Sequence, residues 1–127
     1  MKALTICQPW AWAIAEGIKR VENRTWPTSY RGPLAIHAGK GAQWITRGWL
    51  DLRRLGHRPP DDLTFGAIVA VCDLVDCRRY GESDVFDDPF AVGPWCFILE
   101  NVRKLAEPIP CRGRQRMWDC QTILDAR

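Results

Sequence analysis

Lys19, Glu22 and Arg24 are crowded into the segment GIKRVENRTW, residues 17–26, directly after the tryptophan-rich stretch QPWAWAI. On an extended segment side-chain direction alternates, so Glu22 and Arg24 project to the same side. Lys19 sits just before them, at the end of an expected helix, and can converge on both. Lysine and arginine in such a group neutralise an anion or hold a polar base edge. The carboxylate accepts from a base amine, takes a proton, or simply holds the arginine in place. The plain structural alternative is a partly exposed salt-bridge cluster at the rim of a barrel. Charged groups this close to large flat apolar ones line a pocket or a binding face; a core excludes most of them.

Other candidates lie further along. His37 ends an apolar strand beside Gly39, and is either a cleft imidazole or a core one bonded to a backbone carbonyl. Arg31, in the turn Arg31-Gly32-Pro33 beside Tyr30, offers stacking and phosphate contact, or packs on Trp26. Lys40 adds a cation for phosphate or for solvent. Seven tryptophans are many for this length; Trp10 suits the core, Trp12 or Trp26 could stack a base, and Trp44 and Trp49 read as packing. Asp73, near a strand end, is an acid–base candidate or a turn cap, and Thr25 is expected to face away from Glu22. In the tail CRGRQRMWDC, alternating Arg112, Arg114 and Arg116 would form a basic ridge, with Gln115 reading a base edge or sitting as a surface amide. Whether that ridge runs beside the 19–24 segment stays open.

Several features argue for less. His57 reads as solvated loop. The acidic group Glu82, Asp84, Asp87 and Asp88 lacks the ligand rhythm and glycine of a calcium loop. The six cysteines form no CxxC pair and read mostly as buried free thiols, with Cys111 and Cys120 the pair a disulfide would use. No metal site and no cofactor is expected.

The elements that must position these residues follow from periodicity. A strand over 2–7 leads through Pro9 into a helix over 10–18, striped by Trp10, Ala13, Ile14 and Ile18. The basic segment 20–26 reads as extended, and 34–37 as a strand. A second helix over 42–55 buries Ile45, Trp49 and Leu52 and turns Arg47, Asp51 and Arg54 to solvent; paired prolines close it. Strands follow at 65–74, resuming over 75–78, and at 95–102, with 105–108 leading to the tail. Strands returning without regular helices between them give an α+β fold: a small mixed β-barrel with two or more flanking helices.

The 127 residues fit one domain, 1–127, with one modest core. Apolar content of 46% and charged content of 26% are ordinary for a globular protein, and a net charge of +3 hints only weakly at nucleic acid. The start has no long apolar run or cleavage site of a signal peptide, and the longest apolar stretch, GAIVAVC, is too short to span a membrane. A cytoplasmic protein without membrane attachment is expected; oligomeric state is not legible.

The string G-x-K-x-x-E-x-R, carried by Gly17, Lys19, Glu22 and Arg24, resembles the signature of the ASCH domain family, small barrels of the PUA-like superfold. LTICQPWAWAIAEGIKRVENRTW resembles the opening of bacterial stand-alone members. YRGPLAIHAGK resembles their second block, and GRQRMW their closing Gly-x-Gln…aromatic segment. The resemblance runs from Leu4 to about Trp118 and implies RNA binding in a cleft beside the signature. One group of members resembles an amidohydrolase acting on N4-acetylcytidine, in which the signature lysine assists a threonine nucleophile and a distant glutamate completes the site. Lys19 matches that lysine, but Glu22 occupies the threonine position. Another member resembles a metal-dependent ribonuclease, with no catalytic set that transfers here.

The reading is therefore recognition of RNA or a modified nucleotide in a basic cleft. Its expected binding residues are Lys19, Glu22, Arg24, Trp26, Arg31, His37, Lys40, Arg114 and Gln115. The alternative is a hydrolase on RNA or a modified nucleoside, in which Lys19 stabilises developing charge and Glu22 activates water. A second alternative is a protein-interaction adaptor with a tryptophan-rich face.

Overall fold

The computed structural model describes residues 1–81 and 87–125. Its elements run β1 (Lys2–Ile6), α1 (Trp10–Ala15), β2 (Val21–Arg24), β3 (Gly32–Ala38), α2 (Ile45–Arg54), β4 (Ala67–Arg79), β5 (Trp95–Pro110), β6 (Met117–Asp119) and α3 (Gln121–Asp125). The strands form one sheet in the order β2-β5-β4-β3-β1-β6. β1 and β3 pair in parallel, which requires a crossover, and α1 and β2 lie in that connection. The other pairings are antiparallel.

The α+β class holds, but the expected barrel is corrected to an open one. The sheet curls into a half-barrel whose end strands, β2 and β6, do not meet. β6 is only three residues long and covers β1 from Lys2 to Leu4, leaving Thr5 and Ile6 without a β6 partner. The expected helices α1 and α2 flank this sheet.

Alternation on β3 sorts the core. Leu34, Ile36 and Ala38 face one cluster with Leu4, Ile6, Leu74, Phe97 and Leu99, which α1 covers with Ala11, Ile14 and Ala15. Ala35 faces the other side with Ala3, Ile68, Trp118 and Cys120. The strand expected over 65–74 and resuming over 75–78 is the single β4 of 13 residues, and the one expected over 95–102 continues to Pro110 as the 16-residue β5. Three register shifts between them move the side-chain phase, which is why the alternation looks broken in sequence.

Two local features bring the site together. α1 stops at Ala15, short of the expected residue 18, because Gly17 takes a left-handed φ of +75°. The amides of Ile18 and Lys19 then both donate to the Ala13 carbonyl, at 2.9 and 3.1 Å, turning the chain toward β2. α2 begins at Ile45, not 42, and packs its buried Gly48 against Pro9. A Cβ at Gly48 would stand 2.6 Å from Pro9 Cδ, so only glycine lets the helix approach this closely.

The first and last described parts of the chain are adjacent. The Cys120 amide donates to the Met1 carbonyl at 3.0 Å, and the Met1 amino group donates to Gln121 Oε1 at 3.1 Å.

Candidate functional site

The alternation read from the basic segment is realised. Arg24 donates from Nε and Nη2 to Glu22 Oε2, at 3.1 and 2.9 Å. Lys19 Nζ donates to Glu22 Oε1 at 2.8 Å and to the Val21 carbonyl. Arg24 Nη2 also donates to the Thr5 carbonyl at 2.8 Å. The cluster is not a half-solvated rim feature: the Lys19 and Glu22 side chains are 5% and 10% exposed, and Arg24 is 22% exposed.

Burial pushes the Glu22 carboxyl up, but the Lys19 and Arg24 charges and their hydrogen bonds outweigh it and hold the group below the usual glutamate range. Glu22 therefore stays ionised, with both oxygens engaged. An ammonium carries three N–H groups and a guanidinium five. The bonds above leave one N–H of Lys19 and the pair on Arg24 Nη1 without a protein partner among the described residues. The cluster carries a net positive charge and offers donors, not acceptors.

These three residues line a cavity of about 860 Å³. Ile6 at the end of β1, Cys7 just after it and Trp10 from α1 form one side; Trp44, Arg47 and Arg54 from α2 and its approach form another. Phe90 closes a third and meets Trp10 edge-on, with ring centroids 6.3 Å apart. Asn23 holds that side in place. Its Nδ2 donates to the Phe90 carbonyl at 2.8 Å, and its Oδ1 accepts from the Val92 and Gly93 amides at 2.9 Å each. Thr25 also lines the cavity, contrary to the expected outward orientation, because β2 ends at Arg24 and strict alternation ends with it.

Of the expected binding residues, Lys19, Glu22, Arg24 and Trp26 line this cavity. His37 does not. It is 1% exposed, with Nδ1 3.2 Å from Thr5 Oγ1, Nε2 2.8 Å from the Cys111 carbonyl and its ring edge-on to Trp118. It is the core imidazole of the two readings. Arg31 is exposed at a turn, donating to the Thr28 and Tyr30 carbonyls and lying 3.6 Å from Asp76. It does not pack on Trp26; Arg116 does, 4.7 Å above the ring. Lys40 is exposed with its stem over Gly66, and Arg114 and Gln115 are exposed on the tail. None of these four reaches the cavity lining.

Asp73 accepts from Asn101 and is no cleft acid. Asp88 accepts from the Phe90 amide, whereas Glu82 and Asp84 lie outside the described residues. The sequence reading missed Asn23, Phe90 and the α2 side. Trp44, assigned to packing, is 47% exposed and faces the cavity; its place just ahead of the helix, behind Gly39 and Gly41, was the available signal.

Among the described residues no three His, Cys, Asp or Glu side chains group as metal ligands. All six cysteines are free thiols, Cys111 and Cys120 included. Burial pushes Cys72 up to about 12 and raises Cys7 in the cavity despite the Arg24 charge, so Cys7 is not an activated thiolate.

The curled sheet and the cavity-lining cluster Lys19, Glu22 and Arg24 belong to a small α+β domain. The ASCH domain model matches residues 4–119, and this chain belongs to that family, which is generally linked to RNA and nucleotide binding. It is 30% identical over 124 residues to activating signal cointegrator 1 of Homo sapiens, covering 91% of this chain and 21% of that protein. The Mus musculus counterpart is 31% identical over the same length. The chain thus spans about a fifth of these relatives. A crystal structure of ASCH from Zymomonas mobilis superimposes with a TM-score of 0.59 at 15% identity, covering 98% of this chain and 90% of that one. A mutant of the same bacterial protein gives 0.58 at 14% identity. Those likenesses show the fold.

Proposed function

We propose that this ASCH-domain protein binds RNA or a modified nucleotide in the cavity beside Lys19, Glu22 and Arg24. The observation that carries the reading is the uncommitted donor set. Lys19 and Arg24 are locked by one buried carboxylate and still present N–H groups to a cavity with aromatic walls. A phosphate or carbonyl oxygen completes those donors, and a base finds flat partners in Trp44 and Phe90. Glu22 serves as the organiser of the two cations rather than as a reader of a donor edge.

The same geometry weighs against the hydrolytic alternative as first framed. A carboxylate that is doubly engaged and held below its usual range is a poor general base. The cytoplasmic location belongs to this reading, and six free thiols suit a reducing compartment.

The test is calorimetric titration of the protein with RNA oligonucleotides and with a panel of modified nucleosides and nucleotides, alongside Lys19→Ala. Saturable binding that Lys19→Ala abolishes supports the proposal. Equal binding by both proteins, or none by either, sinks it. A new product in the wild-type mixture, absent with the variant, would restore the hydrolase.

A further inference from the structure

The tail lays a cation on one of the aromatic residues that line the cavity. Arg116 lies 4.7 Å over the Trp26 ring, and Trp26 itself lines the cavity. Phe97 supports Trp26 edge-on at 5.2 Å, so the indole is a fixed platform. An arginine laid on an aromatic face keeps its in-plane N–H groups free for an anion. Arg116 is exposed, and no carboxylate among the described residues pairs with it.

The segment bearing it is anchored at both ends. His37 Nε2 bonds the Cys111 carbonyl at 2.8 Å, and Trp118, 6% exposed, donates to Thr5 Oγ1 at 3.3 Å. Between them Gly113 sits against the same pair: a Cβ there would be 2.8 Å from both His37 Cε1 and Thr5 Oγ1. Arg116 itself takes a φ of +57°, a conformation that non-glycine residues adopt only where the surroundings impose it. Arg112 and Arg114 are exposed on the same anchored stretch.

We infer that Arg116, held on Trp26, is a second phosphate-binding position, and that the occupant is a single-stranded polynucleotide running from the cavity over Trp26 onto the tail, not a free nucleotide. This rests on the reading of the cavity as a nucleotide site and adds to it. The cavity donors hold one nucleotide, Arg116 holds the backbone of its neighbour, and Arg112 and Arg114 supply further positive charge along the path. Charge complementarity selects a polyanion, and a pre-ordered cation selects length, because the second contact is made at high effective concentration.

Titration calorimetry with uridylate and adenylate ligands of one, three and six nucleotides, repeated over a range of salt, separates the possibilities. Wild type should bind the trinucleotide about tenfold or more tighter than the mononucleotide. Arg116→Ala should cut that ratio to about threefold or less and lower the salt slope for the trinucleotide by about 0.7, the loss of one phosphate contact on a single strand. Arg116→Lys should recover part of both. Length-independent affinity in wild type, or an equal loss for one and three nucleotides in Arg116→Ala, overturns the inference and leaves the cavity reading intact. Absence of binding to every ligand by wild type overturns both.

Discussion

Arg24 and Thr5 stand on strands that are not neighbours in the sheet, yet the guanidinium Nη2 donates to the Thr5 carbonyl at 2.8 Å. β6 leaves that carbonyl beyond its reach, and Arg24 arrives from the opposite end of the sheet order to take it. One side chain thus ties β2, at one end of the curl, to β1, next to the other end, and, through Glu22, fixes Lys19 as well. Structure and candidate chemistry share the same guanidinium.

Arg24→Ala should therefore cost stability as well as ligand. Removing it deprives the largely buried Glu22 of one of its two counter-charges, a loss of about 3 kcal/mol. Urea denaturation followed by tryptophan fluorescence would report it as a lower midpoint. Arg24→Lys should fall between, because an ammonium cannot reach Glu22 and Thr5 with the same fork. A midpoint unchanged by Arg24→Ala would show that the seam does not hold the sheet.

The cluster also sets an acid limit. Burial raises the Glu22 carboxyl and the paired cations lower it further, so its folded pKa lies below the ordinary 4.5. A depressed folded value means the contribution is complete above the unfolded pKa and is lost as pH falls through the folded one. Wild-type stability should therefore decline below about pH 4.5 more steeply than that of Glu22→Gln. At neutral pH Glu22→Gln should be about 3 kcal/mol less stable, since it leaves two cations without their carboxylate. Denaturation series of both proteins across acid pH would check the crossing trend.

Trp44 gives the cleanest separation of binding from folding. It is 47% exposed ahead of α2 and faces the cavity. Trp44→Ala should change stability by no more than about 0.5 kcal/mol. If a base stacks there, affinity should fall by about 1–3 kcal/mol. Paired melting and titration curves would settle it, and unchanged affinity would remove Trp44 from the site.

Gly48 tests how the α2 side is held. A side chain there must displace Pro9, against which the helix rests. Gly48→Val should destabilise by about 1–3 kcal/mol through overpacking and should widen the cavity. A crystal structure of the variant would show α2 displaced from Pro9, and an undisturbed helix would refute the account.

What could be read from sequence was local. Glu22 and Arg24 share a side because two residues on one strand must, and Lys19 joins them one turn away because a glycine ends the helix. What could not be read depended on partners far along the chain. His37 looked equally suited to cleft or core until Cys111, 74 residues later, supplied its carbonyl. Asn23 carried no signal, since the backbone it binds lies 67 to 70 residues away. Trp26 drew its arginine from the tail, not from the nearby turn at Arg31. The barrel failed to close for a similar reason: strand propensity does not report that the last strand is only three residues long.

Met1 and Cys120 meet at the edge of the sheet, amide to carbonyl at 3.0 Å. Points of entry and exit that lie side by side make a unit that can be spliced into a host chain like a cassette, without stretching either flank. The same adjacency makes the fold a candidate for circular permutation: a short linker could join residue 1 to the last helix, and new ends could be opened at the exposed Gly56 turn.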